Sequence, residues 1–255
     1  LIAAVITTTI LLPLVAITPD MGTAAFTADN CQDLHRIGAA WSYQWHPWPR
    51  QCPGIQMIPM IWSMEHWSAT AAPSPYLLGF NEPDIQSQAN MTPDEAAVGW
   101  RKLEQAYPYR MLVSPAPTSA VWLRQWRIAY LLRYNREPRL SAIAGHVYKP
   151  EIAEAQRVLD EFVVLAREWG LPLWITEYSF PACWYTFGSD VSKAVETAQA
   201  FTNDLRNAPE VARYAWFASR DYSDELWPAS CLTGLYDGTG RVTEYGQWFQ
   251  LRGML

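Results

Sequence analysis

Two apolar runs in this chain each close on a glutamate: Tyr76-Leu77-Leu78-Gly79-Phe80-Asn81-Glu82-Pro83-Asp84 and Leu171-Pro172-Leu173-Trp174-Ile175-Thr176-Glu177-Tyr178. A short apolar run bounded by turn residues reads as a buried strand, so each carboxylate stands where a strand ends. Two carboxylates placed this way suit cleavage of an acetal. One protonates the leaving oxygen, and the other attacks the carbon or activates a water. A lone glutamate reads more simply as a surface charge or a helix N-terminal charge, so the chemistry rests on the pair.

The elements that must position the pair are a series of apolar strand-like runs alternating with helical patterns. The runs are Leu14–Thr18, Ala39–Gln44, Gln56–Trp62, Tyr76–Phe80, Met111–Ser114, Ile143–Tyr148, Leu173–Glu177 and Tyr214–Phe217. Such alternation predicts an α/β fold with a parallel sheet covered by helices, and eight units close into a (β/α)8 TIM barrel. Thr92-Pro93-Asp94-Glu95 is an N-cap, a first-turn proline and a capping-box glutamate, opening a helix to Tyr107. Helices are also predicted over Pro150–Trp169, stopped by Gly170, and over Val191–Asn207 and Glu244–Leu255. The stretch His46-Pro47-Trp48-Pro49-Arg50-Gln51-Cys52-Pro53-Gly54 is too short and too rich in proline for a crossover helix, and Ser63–Ser74 allows a short one at most. The expected ring of helices is therefore incomplete at units two and three. With no repeat or linker, residues 1–255 read as a single barrel domain, a usual length for this fold. In such barrels the active site lies at the carboxyl ends of the strands, and here Glu82 follows the fourth and Glu177 ends the seventh.

The net charge is −6, and the 19 Lys and Arg are scattered along the chain. That excludes nucleic acid as the expected partner and favours a neutral substrate. Fourteen Trp and thirteen Tyr exceed what core packing alone asks for, and aromatic faces suit sugar rings, although each single aromatic also has a plain reading as core. Cys31, Cys52, Cys183 and Cys231 lack metal-site spacing and read as disulfide candidates, with free buried thiols as the alternative. Pairing 31 with 52 and 183 with 231 would tie together loops that follow neighbouring strands. The sequon Asn90-Met91-Thr92 adds a weak vote for secretion. His35, His46, His66 and His146 are too dispersed for a metal triad, and neither a serine-hydrolase elbow nor a phosphate loop is present, so no metal or cofactor is expected. Leu1–Leu12 reads as an added strand or the remnant of a signal core. Thr7–Thr9, Pro13 and the lack of a leading basic residue argue against a membrane span.

Ordered motifs at the strand ends carry a resemblance. Leu77-Leu78-Gly79-Phe80-Asn81-Glu82-Pro83-Asp84 and Trp174-Ile175-Thr176-Glu177-Tyr178 are joined by Trp41-Ser42-Tyr43-Gln44-Trp45, Pro59-Met60-Ile61-Trp62, Ser114-Pro115-Ala116-Pro117, His146-Val147-Tyr148 and Tyr214-Ala215-Trp216-Phe217. Over Trp41 to Phe249 the chain resembles glycoside hydrolase family 128, within the clan of retaining (β/α)8 glycosidases.

That resemblance implies hydrolysis of β-1,3-glucan with retention, with Glu82 as general acid/base and Glu177 as nucleophile. Tyr148, Tyr178 or His146 would donate hydrogen bonds to Glu177. Asn81 would bind the 2-hydroxyl of the sugar, its plainer reading being a turn residue. Trp216 would floor the subsite beside the cleavage point, and Tyr43, Trp45 and Trp62 would wall the cleft, with Trp41 as readily core as wall. Glu65, His66, Trp184 and Tyr185 read as ordinary loop surface. A second class of function is a barrel that binds β-1,3-glucan oligosaccharides with weak or no hydrolysis, and a third is a glycosidase of the same clan acting on β-1,4-mannan or β-1,4-glucan. A secreted monomer, free or associated with the cell wall, is the expected context.

Overall fold

The computed structural model describes residues 20–25, 31–221, 231 and 233–251. Among the described residues there are eight strands: β1 Asp20–Ala24, β2 Trp41–Tyr43, β3 Gln56–Ile58, β4 Tyr76–Leu78, β5 Met111–Val113, β6 Ile143–Val147, β7 Leu173–Tyr178 and β8 Val211–Phe217. Every strand pairing is parallel. Six strands run in the order β3-β2-β1-β8-β7-β6, and β4 pairs with β5. Parallel bridges Met60–Leu78 and Val113–Ala142 join β3 to β4 and β5 to β6, so the strands run round a barrel. The expected first strand, Leu14–Thr18, lies outside the described residues; the strand between β2 and β8 is Asp20–Ala24. Its middle is Met21-Gly22-Thr23, a weaker apolar signal than the run before it.

The described residues also form the helices α1 Cys31–Arg36, α2 Pro93–Ala106, α3 Ala120–Tyr134, α4 Ile152–Trp169, α5 Val191–Asn207 and α6 Glu244–Leu251. Among the described residues none lies between β2 and β3 or between β3 and β4, so the ring is incomplete where the prolines predict it. Thr92 and Glu95 form the reciprocal capping box at the start of α2, and Gly170 ends α4 at φ 63. Helix α3 was not among the expected helices. Its apolar residues lie all round it, with Val121, Ile128 and Leu132 exposed, which blurs the 3.6-residue period.

Two layers of apolar packing result. One fills the space between sheet and helices, with Phe162, Phe201, Trp100 and Trp126 at its heart. The other fills the barrel itself, where Trp41, Tyr43 and Trp174 interdigitate with Ala24, Ala142, Ala144 and Ala215. Such alternation of large and small side chains lets a narrow barrel close without voids. Arg213 plugs the amino end: its guanidinium lies 4.5 Å from the Trp174 ring centre and 4.9 Å from that of Tyr76, and it pairs with Asp20 and Gln56. Among the described residues Arg213 and its partners fill that end, and a cleft opens at the carboxyl ends of the strands.

Both disulfides join loops at that open end. Cys31–Cys52 ties α1 to the loop after β2, and Cys183–Cys231 ties the loop after β7 to the segment after β8. Separations of 21 and 48 residues correspond to about 3 and about 4 kcal/mol of chain entropy removed from the unfolded state.

Gly22 is where the interior has no spare room. A Cβ there would lie 2.5 Å from the Trp41 indole. Gly22→Ala is expected to lower the denaturant midpoint by an amount equal to about 1–3 kcal/mol of overpacking, with the m-value unchanged in urea titration.

Candidate active site

Glu177 reaches the barrel mouth through a bulge in β7. Trp174 faces the interior and Ile175 the helices, so strict alternation would turn Glu177 outward and Tyr178 inward. The register prevents this. Gly145 pairs with Ile175 and His146 with Glu177, while Ile175 pairs with Tyr214 and Tyr178 with Trp216, which leaves Thr176 as an extra residue. The bulge aims Glu177 into the barrel and Tyr178 away from it.

Once inside, the carboxylate is surrounded by donors. Tyr43 Oη and Trp45 Nε1 donate to its Oε1 at 2.6 and 2.8 Å, and Tyr148 Oη donates to Oε2 at 2.6 Å. Glu177 is 4 % exposed. An ionised group buried so deeply is tolerated only when hydrogen bonds replace its hydration. Burial, followed by the charge of Glu177, pushes the Tyr43 and Tyr148 hydroxyls well above their usual range. Both therefore stay neutral donors across ordinary pH.

Glu82 sits at the turn leaving β4, at φ 39, a left-handed backbone that a non-glycine residue holds only under constraint. The constraint is visible: Asn81 N–H donates to Trp62 O at 2.9 Å and Glu82 N–H to Ala116 O at 3.0 Å, fastening the turn to the neighbouring strand ends. The Asp84 carboxylate accepts from Thr118 N and Oγ1.

His146 stands between the two glutamates. Its Nδ1 is 2.9 Å from Glu82 Oε1 and 3.5 Å from Glu177 Oε2, within reach of both carboxyl groups. Burial alone would depress the imidazolium, but the charge of Glu177 and the hydrogen bond and charge of Glu82 outweigh it and raise the pKa. One oxygen of Glu82, one of Glu177 and a His146 nitrogen all lie within 4.8 Å of one another. As a cation site this trio is poor, because three N–H and O–H donors already share the negative charge of Glu177. As a pair of acids it is close-set. Separations of about 5–5.5 Å belong to retaining glycosidases, whereas inverting ones need about 6.5–9.5 Å to admit a water.

A cleft of about 440 Å³ opens over the pair, lined mainly by apolar surface. Of the expected site residues, Trp45, Trp62, Asn81, Glu82, Tyr148 and Glu177 line it. Tyr43 and His146 are fully buried and contact the carboxylates from within the barrel. Two expectations require correction. Tyr178 is buried against Phe201 and Trp216 and bonds Thr202 Oγ1, so it donates nothing to Glu177. Trp216 is likewise turned to the helices, where it packs on Tyr245 and Trp248 and donates to Thr233 O. The cleft residue of β8 is Phe217, edge-on to both Trp45 and Tyr148. Trp41 is core. Trp184, read as loop surface, lines the cleft beside the Cys183–Cys231 bridge, whereas Tyr185 is 77 % exposed. Glu65 and His66 stay outside it, with His66 braced between Ser63 and the Trp62 ring. Gln88, which nothing in the sequence marked, also lines the cleft.

The raised pKa of His146 has a sign that can be tested. A cation gained by folding adds stability that is complete below the unfolded histidine value and disappears as pH climbs through the higher folded value. His146→Gln should therefore destabilise most at acid pH, and its melting temperature should converge toward that of the parent as pH rises. Thermal unfolding of both proteins from pH 5 to 9 checks this.

The family model described as glycosyl hydrolase catalytic core matches residues 22–249. A search of curated protein sequences gave no match. Among solved structures, a subgroup II endo-β-1,3-glucanase of glycoside hydrolase family 128 from Pseudomonas viridiflava is 28% identical with a TM-score of 0.72, over 91% of this chain and 96% of that one. A subgroup III curdlan-specific exo-β-1,3-glucanase from Blastomyces gilchristii, in complex with glucose, is 26% identical with a TM-score of 0.70, over 91% and 99%. A subgroup I endo-β-1,3-glucanase from Amycolatopsis mediterranei, in complex with laminaritriose, is 25% identical with a TM-score of 0.72, over 91% and 98%. The chain belongs to the glycosyl hydrolase catalytic core family, and within it to glycoside hydrolase family 128.

Proposed function

We propose that this chain hydrolyses β-1,3-glucan with retention of configuration, with Glu82 as acid/base and Glu177 as nucleophile. The observation that carries the reading is the close pair of carboxylates, one of them encircled by donors, at the mouth of an aromatic cleft. Glu82 gives its proton to the glycosidic oxygen as the bond to the anomeric carbon breaks. Glu177 attacks that carbon from the other face and forms a glycosyl ester. Glu82, now a carboxylate, takes a proton from water as the water displaces Glu177. The donors on Glu177 serve both steps: they hold one oxygen in line for attack, and they stabilise the carboxylate as it leaves.

Supporting the substrate class, the solved family 128 relatives described here are β-1,3-glucanases, and several from Amycolatopsis mediterranei hold laminari-oligosaccharides. Phe217, Trp45 and Trp62 offer apolar faces to sugar rings around the glutamates. Two disulfides, and no helix among the described residues long and apolar enough to cross a membrane, fit an extracellular protein. Secretion as a single-domain monomer completes the reading.

Hydrolysis of laminari-oligosaccharides, and not of cello-oligosaccharides, is the expected activity. Glu177→Gln should lower kcat on laminarin by at least about 10³-fold, and Glu82→Gln by about 10²–10⁴-fold, the range for loss of general acid catalysis. Time courses by product chromatography read both. Binding of laminari-oligosaccharides without turnover by the parent protein would favour the binding-protein alternative, and cleavage surviving Glu177→Gln would remove the nucleophile assignment.

A further inference from the structure

The turn that carries Glu82 continues into a loop that folds back on the same site. Ile85 N–H donates to Glu82 O, Gln88 N–H to Ile85 O, Ala89 N–H to Asn81 O and Met91 N–H to Pro83 O, at 2.8 to 3.2 Å. These bonds bring Gln88 beside Asn81, and the Asn81 Nδ2 amide donates to Gln88 Oε1 at 3.2 Å. Asn81 is 3 % exposed, and its own carbonyl oxygen is buried with no hydrogen-bond partner. Among the described residues Gln88 is therefore the side chain's one hydrogen-bond partner.

A primary amide is nearly symmetric in shape, so its orientation is read from its hydrogen bonds, and here the Asn81 NH2 group is the one that meets Gln88 Oε1. The reaction needs one orientation. Glu177 is an acceptor only, so a sugar 2-hydroxyl beside it gives its proton to that carboxylate and must receive its second hydrogen bond from a donor. Asn81 meets that need only when its NH2 group, and not its carbonyl, faces the ring. The NH2 group has two protons, one for Gln88 and one for the sugar.

We propose that Gln88 is a positioning residue for Asn81: its Oε1 takes one amide proton and so presents the other to the 2-hydroxyl of the sugar at the cleavage point. This rests on the roles proposed above for Asn81, Glu82 and Glu177. Gln88 acts through Asn81 on the transition state, where the 2-hydroxyl contact strengthens, more than on ground-state binding.

The test compares an aryl β-laminaribioside with its counterpart lacking the 2-hydroxyl on the reacting ring, using the full-length enzyme. The readout is the ratio of their kcat/KM values on one preparation. That ratio cancels the fraction of active protein and any change in the proton affinity of Glu82. Gln88→Met keeps the length of the side chain and removes the acceptor; it should lower the ratio about tenfold, the worth of one hydrogen bond of about 1.4 kcal/mol, toward the value for Asn81→Ala, mainly through kcat. Gln88→Glu keeps an acceptor and should hold the ratio within about threefold of the parent, well inside one such bond. A parent-like ratio in Gln88→Met, even with a slower enzyme, would overturn the inference, and so would a ratio in Gln88→Glu as low as in Gln88→Met. If Asn81→Ala alone left the ratio unchanged, the role of Asn81 and the inference would fall together, whereas loss of all hydrolysis in Glu177→Gln would leave the underlying reading standing.

Discussion

The Glu177 carboxylate and its three donors are the constraint on which the rest of the structure depends. Tyr43 and Trp45 come from the end of β2, Tyr148 from the end of β6, and the acid itself from β7. In the sheet β2 and β7 are separated by β1 and β8, so these contacts span the barrel mouth and exist only because the strands curve round to face one another. A buried anion without such donors would be costly enough to take up a proton. Closure of the barrel and the gathering of three donors around this buried carboxylate are thus one requirement.

Around that anchor, the second acid is placed by backbone and by His146. The left-handed turn at Glu82 is held by hydrogen bonds to neighbouring strand ends, and Nδ1 of His146 reaches oxygens of both glutamates. The imidazole fixes the spacing of the pair from within the barrel, leaving the outer sides of both carboxyl groups to the cleft. Strain at such a turn persists when its surroundings over-determine it, and here they do.

Much of this was legible in the chain. The strand-helix alternation, the capping box at Thr92, the glycine stop at Gly170 and the proline-rich stretch that replaces a helix are local signals with local causes, and each has its counterpart in the fold. The positions of Asn81, Glu82 and Glu177 at strand ends were legible for the same reason. Which way neighbouring side chains face was not. In Tyr214-Ala215-Trp216-Phe217 both faces of the strand are buried, so no polar alternation marks Phe217 as the cleft residue and Trp216 as core. At Tyr178 a residue count goes astray because Thr176 is a bulge, and a bulge is defined by pairing with β6 and β8, not by local sequence. Strand β1 escaped notice because its fit depends on Gly22 meeting Trp41, a contact between strands. Gln88 carries no motif, since its place comes from a loop that returns to Asn81.

The central claim is that Glu177, held by Tyr43, Trp45 and Tyr148, forms the covalent bond to the sugar. The most direct measurement is to incubate the enzyme with a 2-deoxy-2-fluoro β-laminaribiosyl fluoride, which slows departure of the sugar from the enzyme, and to map the label by peptide mass spectrometry. The account predicts one glycosyl group per chain, on Glu177. A label on any other residue, or rapid release of the sugar with inverted configuration and no labelled enzyme, would contradict it.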